Sequence, residues 1–123
     1  MERGKESVLK TKSYKFAVKT VRLSQHLQTD KKEFVLSKQI LRSGTAVGAI
    51  IREAEFAESL ADFIHKFNIA LKEANETDFW LALLNETEFI ETKLFESLSN
   101  DCKELIAMLV ATLKTLKQKK DKS

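Results

Sequence analysis

Apolar residues recur at helical spacing in four stretches of the chain, with short polar breaks between them. Steps of three and four place such residues on one side of a helix, the side that becomes buried when helices associate. The first stretch runs from about Ser13 to Gln28, where Tyr14, Val18 and Val21 mark one stripe and Phe16, Leu23 and Leu27 another. The polar run from Gln28 to Lys32 then interrupts it. The second stretch, from about Lys32 to Phe56, carries Leu36, Ile40, Ser43, Val47, Ile51 and Ala54 at steps of three and four. Asp30, with Glu33 three residues on, reads as its N-terminal capping box.

The third stretch begins near Ser59, whose hydroxyl is suited to cap a helix with Asp62 at its third position. It continues through Leu60, Ile64, Phe67, Leu71, Ala74 and Leu81 to about Leu84. In the last stretch Leu98, Cys102, Leu105, Leu109, Thr112 and Leu116 form a heptad-like seam, widened by Ile106, Val110 and Leu113. Residues Phe89 to Ser97 read either as a short separate helix or as the approach to this one. Four amphipathic segments with short connections predict an all-α protein, an antiparallel up-and-down four-helix bundle.

Composition agrees with that expectation and narrows it. The 123 residues hold no proline and only three glycines, a balance that favours long uninterrupted helices. The length suits a single domain over residues 1–123, with an ordered core over about 13–118 and flexible basic termini. Leu105 to Leu113 is the longest strongly apolar run, about half of the roughly 20 residues a membrane-crossing helix needs. A lone cysteine, Cys102, and a start without a charged-then-apolar leader point to the cytoplasm.

Two of the glycines, Gly44 and Gly48, sit four residues apart inside the second helix, where each costs roughly 0.5–1 kcal/mol relative to alanine. With Leu41 and Ile51 they share one helical face. A face without side chains lets another backbone approach closely, either at a crossing within the bundle or at a subunit contact or kink.

Charge is unevenly distributed. Residues 1–24 hold seven Lys or Arg against two Glu, and residues 110–123 hold five Lys against one Asp, so the ends carry +9. The intervening residues 25–109 carry −6, from nine basic and fifteen acidic side chains. Lys12, Lys15, Lys19 and Arg22 follow steps of three, four and three and line one face of the first helix. In an up-and-down bundle the first helix starts where the fourth ends, which brings Lys114, Lys117, Lys119, Lys120 and Lys122 to the same end. Clustered basic charge is the electrostatic footprint expected for phosphate backbones, with the solvated lysine-rich face as the plain alternative.

Candidate chemistry is sparse. Asp62 and His65 stand one helical turn apart, but a di-metal bundle needs two such pairs and two further carboxylates, and His26 supplies no second pair. Cys102 falls on the apolar seam and reads as core. No phosphate-binding glycine loop, nucleophile elbow or dinucleotide fingerprint occurs. The expectation is therefore a protein that is not an enzyme, with no cofactor and no metal.

From Phe34 to about Leu84 the chain resembles a bacterial family of four-helix-bundle proteins, the ribosomal RNA intervening-sequence proteins. The resemblance is carried by LSKQILRSGTAVGAIIREA, Leu36 to Ala54, and SLADFIHKFNIALKEANETDFWLALL, Ser59 to Leu84. It implies a homo-oligomer, a ring of five copies, in which Gly44 and Gly48 find a natural use. It also marks Arg42, Arg52, Glu53, Glu73, Glu76 and Trp80 as candidates for ion pairs or packing within the bundle or between subunits. A related branch, accessory proteins of diversity-generating retroelements, binds nucleic acid and a reverse transcriptase. RNA or a reverse-transcriptase-like protein is thus the implied partner, with a protein-interaction scaffold as the alternative. The first dozen residues and the tail past Lys117 lie outside the match.

Overall fold

A computed structural model describes residues 3–122, except for the side chains at positions 3 and 5–7. It contains four helices, α1 (Arg3–Thr29), α2 (Leu36–Ala54), α3 (Leu60–Glu86) and α4 (Thr92–Lys122), and no strand among the described residues. Consecutive helices pack closely, and α4 returns to lie more loosely against α1. Lys12 meets Glu104 and Lys19 meets Asp101, so α1 and α4 run in opposite directions. The fold is an all-α four-helix bundle.

The apolar faces of all four helices meet in a shared core that includes Phe16, Leu27, Ile40, Val47, Phe67, Leu81, Leu105 and Leu109. Every member of the predicted seam of α4 from Leu98 to Leu116 is buried. Val110, expected to widen that seam, is instead 48% exposed.

On α1 the two expected stripes separate. Phe16, Leu23 and Leu27 are buried, whereas Tyr14 is 59% exposed and Val21 also faces solvent. Ser13, Thr20 and Ser24 complete the buried face. Their hydroxyls donate to the carbonyls of Lys10 (3.1 Å), Phe16 (2.8 Å) and Ser37 (3.0 Å), so their burial leaves no orphaned donor. Small residues here let α1 and α2 close together. A Cβ on Gly44 would lie 2.4 Å from Cγ2 of Thr20, and one on Gly48 would lie 3.1 Å from the carbonyl oxygen of Ser13.

Helix limits differ from the periodicity at three places. Helix α1 begins at Arg3 rather than near Ser13, and α4 runs from Thr92 to Lys122, so both basic ends are helical. Leu9 explains the first extension: it lies seven residues before Phe16, and its side chain is buried. Helix α2 begins at Leu36, not Lys32, because Lys32 adopts φ 54°, outside the helical region.

Asp30 is not the cap of α2. Its backbone N–H donates to the carbonyl of His26 and its carboxylate faces the His26 ring. Glu33 caps the helix, accepting from the N–H groups of Val35 (3.2 Å), Leu36 (3.0 Å) and Ser37 (2.7 Å). Burial raises the Glu33 carboxyl, but those donors outweigh it and hold it below its ordinary value. Ser59 does cap α3, accepting from the Asp62 N–H at 3.0 Å, while Asp62 accepts in turn from the N–H of Glu58.

Candidate nucleic-acid interface

Lys12, Lys15, Lys19 and Arg22 all line the seam where α1 lies against α4. Lys12, Lys15 and Lys19 surround a cleft of about 200 Å³ with Phe16, Asp101, Glu104 and Leu105. Lys19 and Arg22 continue along a second cleft with Leu23, His26, Leu94, Ser97 and Leu98. The helical spacing of the four cations thus becomes a line along one groove.

That groove is less basic than the count of lysines suggests. Nζ of Lys12 lies 2.7 Å from Glu104, and Nζ of Lys19 lies 2.7 Å from Asp101. Lys15 and Arg22 are exposed and form no ion pair among the described residues. Lys114, Lys117, Lys119, Lys120 and Lys122 are exposed on the last three turns of α4, at the end of the bundle where α1 starts.

The polar residues singled out in the middle of the chain fall into three places. Arg42 on α2 reaches across to α3, with Nη1 3.2 Å from Glu73 and Nη2 on Glu76. Nε1 of Trp80 donates to Glu76 at 3.2 Å, so Arg42, Glu73, Glu76 and Trp80 form one cluster. The Arg42 hydrogen bond, aided by Trp80 and opposed by burial, holds the Glu76 carboxyl below its ordinary range. Glu53 lies 4.0 Å from Lys66 on the same pair of helices. Arg52 turns to the other side of α2, its guanidinium 5.8 Å from the centre of the Tyr14 ring, a cation–π contact. Gly44 and Gly48 face α1 at the crossing already described.

Arg52, Tyr14 and Phe56 line a groove of about 520 Å³ on the α1–α2 face, together with Gly48 and Ala49. Phe56 is 81% exposed. On α3 Phe79 is exposed too, in an edge-to-face pair with Trp80 at 5.1 Å.

Nothing in these places is arranged for covalent chemistry. The Cys102 thiol is fully buried and donates to the carbonyl of Ala74 at 3.2 Å; burial, with Asp78 nearby, pushes it up to about 12. Asp62 is engaged in capping and lies 3.8 Å from Lys66, and among the described residues no group of three or more His, Cys, Asp or Glu is placed to hold a metal ion. Among those residues, too, no helix is long and apolar enough to cross a membrane.

Four helices, each packed against the next, make this a four-helix-bundle protein. Residues 5–111 match the 23S rRNA-intervening sequence proteins, and the chain belongs to that family. It is similar to a solved structure from Bacteroides thetaiotaomicron, a protein of unknown function from the S23 ribosomal protein family. Sequence identity is 56%, the TM-score is 0.88, and the match covers 89% of this chain and 98% of that one. None of the curated proteins compared matches the chain.

Proposed function

We propose that this protein is a non-enzymatic, oligomeric helical bundle that contacts RNA, or a protein that processes nucleic acid, through the basic end and seam formed by α1 and α4. The observation that carries this reading is the antiparallel pairing of α1 with α4. It sets Lys15 and Arg22, free of ion pairs among the described residues, along one groove, and the lysines of the last turns of α4 at one end of it. Such a surface favours phosphates through charge alone, so binding is salt-dependent and indifferent to base identity. The family resemblance adds a ring of five copies, which would repeat a modest patch five-fold and raise avidity without new contacts.

The test is a titration of labelled single-stranded RNA at low and moderate salt, comparing wild type with K15Q/R22Q/K114Q/K117Q. These substitutions remove charge without breaking the Lys12–Glu104 or Lys19–Asp101 pair. The variant should bind markedly less tightly; equal retention by both proteins refutes the reading.

The exposed Tyr14–Phe56 groove favours a second reading, a scaffold that binds only protein. A pull-down after nuclease treatment separates the two, because a partner held through RNA is lost and a directly bound protein remains.

A further inference from the structure

The two pairs across the seam are set unusually for a surface meant to attract phosphate: half of its cations already face carboxylates of the same chain. All four side chains remain accessible, with Lys12 and Lys19 43% and 50% exposed and Glu104 and Asp101 53% and 38% exposed. Pairs of that kind are weak and exchange with water and ions. They do not lock the lysines away, but they do set what can take them.

We propose that Asp101 and Glu104 determine the specificity of this seam: they are tethered carboxylates that occupy Lys19 and Lys12, so that an extended polyphosphate strand displaces them and a single phosphate does not. The inference rests on the polyanion-binding reading above and adds the ligand class that the seam selects. A single anion meeting Lys12 or Lys19 gains little more than the carboxylate it replaces, and that carboxylate is held in place by α4 at high effective concentration.

A strand lying along α1 competes differently. Lys12 and Lys19 are seven residues apart, as are Lys15 and Arg22, or about 10.5 Å along a helix rising 1.5 Å per residue. A single phosphate cannot span that distance, whereas a strand with successive phosphates lying in a basic groove can. One such strand engages Lys15 and Arg22 first and then reaches both paired lysines, so its gains add where those of a lone phosphate do not. In the cleft lined by Lys12, Lys15 and Lys19 the apolar side chains Phe16, at 3%, and Leu105, at 1% exposure, are already buried and offer no platform on which bases could stack.

The experiment uses the full chain in four forms: wild type, D101N/E104Q, a charge-matched control E58Q/E86Q at either end of α3, and D101N/E104Q/K12Q/K19Q. Thermal unfolding first verifies that each is folded. Binding of a fluorescent single-stranded RNA oligonucleotide is then measured against salt, and binding of inorganic phosphate is followed by amide chemical-shift changes.

Freeing two lysines should tighten RNA binding on the order of ten-fold at low salt. The slope of log K against log salt should change little, because the strand reaches the same phosphate contacts in both proteins. The control should stay within about two-fold of wild type, and the quadruple variant should lose the gain. Inorganic phosphate should shift amides around Lys12 and Lys19 in D101N/E104Q but not in wild type, where of the four cations only Lys15 and Arg22 are open to it. Equal RNA affinity in wild type and D101N/E104Q, or phosphate-induced shifts around Lys12 and Lys19 in wild type, overturns the assignment while leaving the basic surface intact. Absence of RNA binding in both wild type and D101N/E104Q overturns the surface itself, and the assignment with it.

Discussion

Gly44 of α2 lies so close to Thr20 of α1 that a Cβ on the glycine would stand 2.4 Å from the threonine methyl and 2.7 Å from its hydroxyl. Thr20 cannot turn aside freely, since its hydroxyl donates to the carbonyl of Phe16. Alanine at an unconstrained helical position would stabilise by roughly 0.5–1 kcal/mol. Here overpacking, which typically costs about 1–3 kcal/mol, should reverse that sign. G44A is expected to lose about 1–2 kcal/mol in urea unfolding, and G44A/T20A to recover part of it. G48A, whose Cβ would meet the Ser13 carbonyl at 3.1 Å, should lose less.

Arg42 serves two carboxylates at once, an arrangement lysine cannot reproduce. The arginine is about half exposed, so solvent screening limits its worth, and R42A should cost no more than about 1 kcal/mol. R42K should recover only part of that. Glu76 is held below its ordinary value, so its share of the stability is present above that value and disappears as pH falls through the lowered one. Between neutral and acidic pH the wild type should therefore lose more stability than R42A, which urea melts at the two pH values would read out.

Glu33 is the cap of α2 and follows the same sign. E33A should cost about 1 kcal/mol at neutral pH, the usual worth of a helix cap. Because the folded carboxyl lies below its ordinary 4.5, the difference between wild type and E33A should shrink as pH drops under that value. Thermal unfolding of the pair across that range checks it.

Cys102 is predicted to be inert in the native protein. Its thiol is pushed up to about 12, chiefly by burial, and it is enclosed between α3 and α4, so little thiolate exists near neutrality. A thiol-reactive dye at mildly alkaline pH should label the protein only at the rate of unfolding, and immediately in concentrated denaturant.

Much of this architecture was legible in the spacing of apolar residues, and what was missed has a common cause. The seam of α4 and the stripe of α2 are dominated by large aliphatic side chains, so their period reveals the buried face directly. On α1 the buried face alternates Leu9, Phe16, Leu23 and Leu27 with Ser13, Thr20 and Ser24. Hydroxyls do not register as apolar, so Tyr14 and Val21 look equally eligible for burial. The glycines of α2 were the visible half of this crossing; the serines and threonine opposite were the other half.

The four basic residues of α1 were legible as a line from their spacing alone. The pairing of two of them, Lys12 with Glu104 and Lys19 with Asp101, was not, because nothing within one helix fixes the register of another lying some eighty positions away. The cluster of Arg42 with Glu73, Glu76 and Trp80 was visible only as a set of polar residues recurring in the resemblance, without its geometry. Glu33 reads in the sequence as the partner of a cap, whereas in the structure its carboxylate itself accepts from the first N–H groups of α2, whose start lies four residues later because of the positive φ at Lys32.

The central claim is that the α1–α4 seam and its adjoining end meet a nucleic-acid backbone. Its most direct measurement is the slope of log affinity for single-stranded RNA against log salt, for wild type and for K114Q/K117Q/K119Q. The account predicts a straight line of negative slope for wild type and a slope shallower by up to about two for the variant, at roughly 0.7 per lost phosphate contact. No binding at low salt, or one slope shared by both proteins, would contradict it.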